Sequence, residues 1–215
     1  NALGIGRNDR VAIVLPNGPE MASAFLSVGC GATTAPLNPA YREDELDFYL
    51  SDLNAKALLI EHGTDNPARE VAQTLNIPIL EIDWAAGDPA GTFCILGDTQ
   101  IGTTINGGFS RPEDGALVLH TSGTTSRPKI VPLTNQNVCA SAKNIASTLR
   151  LRPEDRCLNV MPLFHIHGLI AAVLSSLSAG SSVFCAPGFN ALNFFNHLGN
   201  FKPSWYTAVP TMHQT

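Results

Sequence analysis

The sequence predicts an α/β fold in which mostly parallel sheets are flanked by helices. Short apolar runs typical of buried strands alternate with segments of helical spacing along most of the 215 residues. Clusters of Gly, Pro and Asn separate these segments. Because parallel strands require a long crossover connection, usually a helix, this alternation favours parallel sheets with helices on their faces.

The alternation is regular in the first part of the chain. Predicted strands cover residues 11–15, 33–37, 57–60 and 77–82, and predicted helices cover residues 20–28, 42–53 and 67–75. The acidic residues 43–45 suit the first turn of a helix, where the helix dipole favours negative charge. Residues 84–112 are rich in Gly, Asp and Thr, which predicts a long connector with at most short strands. We therefore predict one α/β part over residues 1–112 and a second over residues 113–215.

The alternation resumes in the second part. Predicted strands cover residues 116–119, 130–133, 157–161, 182–185 and 205–208, and predicted helices cover residues 135–149, 168–177 and 192–200. The sequence starts at Asn1 without Met, and a further helix begins near its end. We therefore expect the chain to be a piece of a longer protein.

Composition excludes several classes of protein. The formal net charge of −5 provides no basic field for nucleic acid. No apolar run reaches the length of about 18 residues that a transmembrane helix requires. The five cysteines form no Cys-x-x-Cys pair, which predicts free, mostly buried thiols in a reducing compartment. We expect an intracellular protein, cytoplasmic or peroxisomal, and the sequence leaves its oligomeric state open.

The most informative stretch is the loop of residues 121–129, which lies between two predicted strands. Its glycine lets the backbone approach an oxyanion, its hydroxyl and N–H groups can donate to phosphate, and Lys129 can neutralise charge. A Walker A loop is excluded, because no Gly-Lys-Ser/Thr follows the first glycine at the required spacing. An ordinary polar hairpin loop is the alternative. The predicted phosphate-binding residues are Thr121, Ser122, Gly123, Thr124, Thr125 and Lys129.

A second motif, Met-Pro-Leu-Phe-His-Ile-His-Gly-Leu, covers residues 161–169 and joins a strand to an apolar helix. A His-x-His pair on an extended segment points both rings to the same side, as a zinc site can require. No third ligand at a matching spacing is evident for His165 and His167. Histidines of the core or the surface are the alternative.

Both motifs resemble those of the adenylate-forming superfamily, which includes acyl-CoA synthetases, luciferases and peptide-synthetase adenylation domains. The loop Thr-Ser-Gly-Thr-Thr-Ser-Arg-Pro-Lys resembles the signature loop of that family, although Ile130 stands where the family usually has Gly. The block Pro-Leu-Phe-His-x-His-Gly-Leu resembles its next motif. Residues 174–180 and 205–214, together with Ser126, are similar to the oxalate–CoA ligases of plants and fungi. The resemblance is weakest over residues 84–112.

The resemblance implies an AMP-forming acid–CoA ligase that uses ATP and Mg²⁺, with CoA as co-substrate. The acid and ATP would form an acyl-adenylate and pyrophosphate, and the CoA thiolate would then displace AMP. Lys129 and the preceding loop would bind the departing pyrophosphate, and Thr125 is the metal-ligand candidate. His165 would orient the attacking carboxylate as a second catalytic residue. His167 and Gly168 would shape the acyl pocket.

The resemblance favours oxalate as the acid. The second carboxylate of this dianion needs a hydrogen-bond donor, because an unpaired buried carboxylate is very costly, and His167 could supply one. Alternatively, His167 bonds a backbone carbonyl and selectivity lies elsewhere. Two further alternatives remain. The acid could be malonate or another short or medium-chain acid, or the chain could be a truncated nucleotide-binding module without activity. The family's adenine, ribose and C-terminal lysine blocks would follow Thr215, so we expect this chain alone to be inactive.

Overall fold

The computed structural model describes residues 3–97, 102–121 and 128–214. The chain divides into two compact units, residues 1–16 with 23–136 and residues 17–22 with 137–215. Mostly parallel sheets and helices make up the two units, which confirms the predicted α/β class.

Strands and helices alternate in the first half of the chain close to the predicted bounds. The elements are β1 (Arg10–Val14), α1 (Pro19–Gly29), β2 (Thr33–Pro36), α2 (Glu43–Leu53), β3 (Ala57–Glu61), α3 (Ala68–Thr74), β4 (Ile79–Asp83) and β5 (Cys94–Leu96). The predicted connector contains the three-residue strand β5, in agreement with the expectation of short strands at most. The acidic residues 43–45 occupy the first turn of α2, as predicted.

The second half continues in the same way. Its elements are β6 (Gly115–His120), β7 (Ile130–Thr134), α4 (Asn135–Leu149), β8 (Arg156–Asn159), a π-helix (His167–Leu174), α5 (Ser175–Ser178), β9 (Ser182–Cys185), α6 (Ala191–Phe201), β10 (Trp205–Thr207) and α7 (Pro210–His213). The predicted helix over residues 168–177 is present, but most of it is a π-helix. Hydrophobic content alone does not distinguish these two kinds of helix, because both bury an apolar segment of this length.

The first unit contains a seven-stranded sheet in the order β5-β4-β3-β1-β2-β6-β7. Its five central strands are parallel, and β5 and β7 pair antiparallel at the two edges. The central strands β1 and β3 are buried almost throughout, as expected of strands covered on both faces. The predicted boundary after residue 112 falls inside this unit, because β6 pairs with β2 through Leu117 and Thr34 and so extends the sheet.

Two buried threonines reinforce the junction between β2 and β6. The hydroxyl of Thr33 donates to the carbonyl of Gly115 at 2.9 Å, and that of Thr34 donates to the carbonyl of Ala116 at 2.7 Å. These bonds satisfy hydroxyl groups that would otherwise be costly to bury. They also fix the first residues of β6, the strand that ends directly before residue 121.

The second unit contains a three-stranded parallel sheet in the order β10-β8-β9. Partly buried aromatic and aliphatic side chains pack against a small core of Leu158, Val160 and Ala186. Asn159, the last residue of β8, is fully buried. β8 is the central strand of this sheet, and the His-x-His motif follows it in the sequence.

The cysteines are free, as predicted, but the expectation that most are buried is wrong. Cys30, Cys94 and Cys139 are exposed, whereas Cys157 and Cys185 are buried. Burial raises the pKa of Cys157 to about 12 and that of Cys185 to about 11. These two thiols therefore behave as small apolar side chains of the second unit.

Within the described ranges, no helix has both the length and the apolar character needed to cross a bilayer.

Candidate functional site

The loop with the predicted phosphate-binding residues begins and ends on paired strands, as expected. β6 and β7 are antiparallel neighbours, and His120 pairs with Ile130 at the end of the ladder. Beyond this pair, the N–H of Thr121 donates to the carbonyl of Lys129 at 3.0 Å, and the N–H of Lys129 lies 3.3 Å from the Thr121 hydroxyl oxygen. Thr121 and Lys129 therefore close the base of the loop.

The interior of this loop, residues 122–127, lies outside the described residues. The predictions for Ser122, Gly123, Thr124 and Thr125 consequently stay predictions. Lys129 is exposed, and its ammonium group forms no ion pair with a carboxylate of the described residues. A cation without a carboxylate partner beside a loop is suited to an anionic ligand such as phosphate.

A contact that sequence analysis missed holds the strand that precedes the loop. Nε2 of His120 lies 3.0 Å from a carboxylate oxygen of Asp52 on α2, and only 6% of the His120 side chain is exposed. The imidazole also packs edge-on against Tyr49, with ring centroids 4.6 Å apart. The position of His120 directly before the loop was the only signal in the sequence, and it did not identify the partner.

A pair of stacked tyrosines lies next to this contact. The rings of Tyr41 and Tyr49 stack with centroids 4.8 Å apart. Burial raises the pKa of the Tyr41 hydroxyl far above its usual range, and the hydrogen bond with Tyr49 raises it further. Tyr41 therefore stays neutral, and its ring packs on Tyr49, which contacts His120.

The His-x-His motif follows β8 in the second unit and does not lie on an extended segment. Ile166, between the two histidines, has φ −53° and ψ −33°, which are helical values. The interpretation that both rings point the same way from a strand is therefore wrong, because that geometry requires extended backbone. His165 lies in a bend, and His167 is the first residue of the π-helix.

His165 is exposed, but neighbouring atoms partly desolvate its ring. This desolvation lowers the pKa of His165 below its ordinary value of 6.5. The Phe164 ring lies next to the imidazole, with centroids 4.6 Å apart. A neutral imidazole near pH 7 is able to donate a hydrogen bond from one nitrogen and accept one at the other.

His167 is half-buried and has a polar partner. Its Nε2 atom lies 2.6 Å from the hydroxyl oxygen of Thr207, the last residue of β10. The alternative in which a backbone carbonyl binds His167 does not describe this contact, since the partner of Nε2 is a side-chain hydroxyl. Thr207 was not identified from the sequence as a functional residue.

Gly168 is required by close packing. A Cβ atom at this position would lie 2.5 Å from the carbonyl oxygen of Pro162 and 3.2 Å from that of Met161. Real side chains do not tolerate the shorter distance, so the backbone of the π-helix approaches Pro162 only because residue 168 has no side chain. Whether Gly168 also shapes an acyl pocket stays a prediction.

Two asparagines brace the turn before the histidines. Asn159 Nδ2 donates to the carbonyl of Met161 at 3.2 Å, and its Oδ1 accepts from the Met161 N–H at 3.1 Å. Asn17 Nδ2 donates to the same carbonyl at 3.1 Å, and its Oδ1 accepts from the Leu163 N–H at 2.8 Å. Neither asparagine was predicted from the sequence to have a role in the site.

The described residues do not form a metal site of their own. No three His, Cys, Asp or Glu side chains of residues 3–97, 102–121 and 128–214 lie close enough together to hold a metal ion. The zinc hypothesis for His165 and His167 therefore lacks a third ligand in this part of the chain. A hydroxyl such as that of Thr125, with phosphate oxygens, is a ligand set that suits Mg²⁺, but Thr125 lies outside the described residues.

Two curated proteins are similar to the chain along nearly its whole length. The chain is 43% identical to an oxalate–CoA ligase of Arabidopsis thaliana and 38% identical to one of Saccharomyces cerevisiae, over 98% and 96% of its length. It spans about two fifths of each relative, 42% in both cases. Its fold matches ATP-bound MatB from Rhodopseudomonas palustris with a TM-score of 0.80 at 24% identity, covering 99% of this chain and 41% of that one.

The family model described as AMP-binding enzyme matches residues 1–215, the whole length of the sequence. The match includes the loop that Thr121 and Lys129 close and the segment that carries His165 and His167. The chain belongs to the AMP-binding enzyme family, whose members among its relatives are CoA ligases.

Proposed function

We propose that the protein containing this chain is an ATP-dependent acid–CoA ligase and that its acid is oxalate. The similarity to oxalate–CoA ligases of a plant and a yeast along nearly the whole chain is the observation that carries the choice of acid. The likeness to MatB supports the fold alone, because the two sequences are 24% identical. It does not favour MatB's substrate over oxalate.

The proposed reaction has two steps. A carboxylate oxygen of the acid attacks the α-phosphorus of ATP, a new P–O bond forms, and pyrophosphate leaves. The thiolate of CoA then attacks the acyl carbon, and AMP leaves with the electron pair of the broken C–O bond. The first step brings two anions together, so positive charge and hydrogen-bond donors supply most of its catalysis.

In this proposal Lys129 binds the phosphates that become pyrophosphate. Its backbone atoms are already engaged with Thr121, so the exposed side chain is the part available to a ligand. Charge on the departing pyrophosphate grows in the transition state, and a nearby ammonium group stabilises that state more than bound ATP. The residues 122–125 and Mg²⁺ belong to the same proposal, with Thr125 as a ligand of the metal.

His165 orients the attacking carboxylate in the proposed site. Desolvation keeps the pKa of its imidazole below 6.5, so the ring is largely neutral at pH 7. A neutral imidazole can donate one hydrogen bond to the acid without neutralising the oxygen that must attack.

His167 provides the proposed selectivity for a dicarboxylate. Its Nε2 atom is engaged by Thr207 at 2.6 Å. If the Thr207 hydroxyl donates to Nε2, the ring carries its proton on Nδ1 and presents an N–H donor there. An N–H group suits the second carboxylate of oxalate, whereas a hydrocarbon chain would gain nothing from it.

The deciding experiment gives the complete protein MgATP, CoA and one acid at a time and measures AMP formation. The acids are oxalate, malonate, acetate and octanoate. We expect oxalate to have the highest kcat/KM. A preference for malonate or octanoate with oxalate inert would contradict the choice of acid, and nucleotide binding without AMP formation for any acid would indicate a binding module instead.

A pair of variants tests the role of His167. His167→Phe keeps an aromatic ring but removes the donor, so it should lower kcat/KM for oxalate and shift the preference toward acetate and octanoate. His197→Phe is the matched control, because His197 is also half-buried in the second unit and packs against Phe184 with centroids 5.5 Å apart. Equal acid preferences in the two variants would contradict the assignment of His167.

A further inference from the structure

We infer that Asn17 is a positioning residue for the segment that carries His165 and His167. The inference rests on the proposed ligase function. It assigns a role to a residue in the turn between β1 and α1, far from the motif in sequence. Asn17 belongs to the second compact unit together with residues 137–215, so all the contacts that carry the inference lie within one unit.

The amide of Asn17 matches the backbone of the turn it contacts. Nδ2 donates to the Met161 carbonyl at 3.1 Å, and Oδ1 accepts from the Leu163 N–H at 2.8 Å. These two backbone groups flank Pro162, so a single side chain holds the turn on both sides of the proline. Only a carboxamide supplies a donor and an acceptor at this spacing, because a carboxylate is acceptor-only and an alanine offers neither.

The position of Pro162 in this turn determines the positions of the histidines. The carbonyl of Pro162 accepts a hydrogen bond from the His165 N–H at 3.3 Å, and Gly168 packs against the same carbonyl so closely that a Cβ would lie 2.5 Å from it. Leu163 is fully buried with Asn17 in place, so the Asn17 amide both accepts from the Leu163 N–H and shields it from water. A displaced Pro162 therefore moves His165 and the start of the π-helix together.

Asn159 does not duplicate the role of Asn17. Both asparagines donate to the Met161 carbonyl, but Asn159 accepts from the Met161 N–H, whereas Asn17 accepts from Leu163. Asn159 therefore fixes the end of β8, before the proline. Asn17 bonds the chain on the far side of Pro162, toward His165.

The experiment compares Asn17→Ala and Asn17→Asp with Asn66→Ala in the complete protein. Asn66 is the matched control in the first unit, because its Nδ2 donates to the Pro39 carbonyl and its Oδ1 accepts from the Ala68 N–H, both at 2.9 Å. Acid-dependent exchange of labelled pyrophosphate into ATP gives the KM for the acid and for ATP. A misplaced carboxylate-binding residue should raise the KM for the acid about tenfold or more in Asn17→Ala, with the KM for ATP changed less than about twofold.

Asn17→Asp keeps the acceptor for Leu163 but turns a carboxylate oxygen toward the Met161 carbonyl, which repels it and displaces the turn before Pro162. The acid KM should therefore rise in this variant too, and this result decides the matter if Asn17→Ala does not fold. Asn66→Ala should leave the acid KM unchanged. An unchanged acid KM in Asn17→Asp, or an equal change in the KM for acid and ATP, would overturn the inference.

A second readout separates this inference from the proposed function. Hydrogen exchange of the Leu163 amide should accelerate in Asn17→Ala and stay unchanged in Asn66→Ala, whether or not any acid is turned over. An absence of acid-dependent exchange in the unmodified protein would overturn the proposed function instead. An unchanged Leu163 amide in Asn17→Ala would overturn the inference even if oxalate were a good substrate.

Discussion

The carboxylate of Asp52 lies 3.0 Å from Nε2 of His120, one residue before the loop that begins at Thr121. His120 is almost fully buried at its side chain, whereas the Asp52 side chain is 36% exposed. The contact therefore connects α2 to the end of β6 and satisfies an imidazole nitrogen that has little access to water. It also places a polar interaction at the residue that directly precedes the loop.

Asp52→Ala should lower the free energy of unfolding by about 1–3 kcal/mol, because it leaves the buried imidazole nitrogen without a partner. Urea unfolding of the variant and of the unmodified protein measures the difference. Asp47→Ala on the exposed side of α2 is the control and should change the free energy by no more than about 0.5 kcal/mol. Equal effects of the two substitutions would show that the contact with His120 does not stabilise the fold.

Lys129→Ala should lower the rate of pyrophosphate release by about a hundredfold or more in the complete protein, because it removes charge stabilisation of the leaving group. The base of the loop should survive, since Lys129 contacts Thr121 through backbone atoms alone. Lys143→Ala on the exposed face of α4 removes the same charge elsewhere and should leave the rate unchanged. An unchanged rate in Lys129→Ala would contradict the phosphate-binding assignment.

Two glycine-to-alanine substitutions should act in opposite directions. Gly168→Ala should destabilise the protein by about 1–3 kcal/mol, because its Cβ would meet the Pro162 carbonyl at 2.5 Å and force a backbone shift. Gly199→Ala in α6 meets no atom within 4 Å outside the adjacent backbone of its own helix, and it should stabilise by about 0.5–1 kcal/mol through higher helix propensity. Thermal unfolding measures both changes, and a stabilising Gly168→Ala would contradict the close approach.

His165 should titrate below pH 6.5, because desolvation disfavours its charged form. Its native pKa is lower than its unfolded value, so its contribution to stability is complete above pH 6.5 and is lost as the pH falls through the native pKa. Two-dimensional NMR of the imidazole resonances measures the pKa directly, and His165→Gln should remove the corresponding titration. A His165 pKa above 6.5 would contradict this environment.

Local patterns in the sequence determined most of the secondary structure and the family of this protein. The bounds of α4, Asn135–Leu149, are those that helical spacing predicts. The strands on either side of the loop, residues 115–120 and 130–134, are within one residue of their prediction. Apolar periodicity is a property of neighbouring residues, so it is visible without the fold. The signature motifs are equally local, and the AMP-binding family match confirms the membership that they indicated.

Only the tertiary structure decided which distant side chains support the two motifs. Asn17 bonds residues 161 and 163, Asp52 meets His120, and Thr207 meets His167 at 2.6 Å, across 40 to 146 positions of sequence. The sequence position of an asparagine, aspartate or threonine does not reveal which distant group it contacts. The partner is fixed by the pairing of strands and the packing of helices, which bring together backbone and side-chain groups that no local pattern relates.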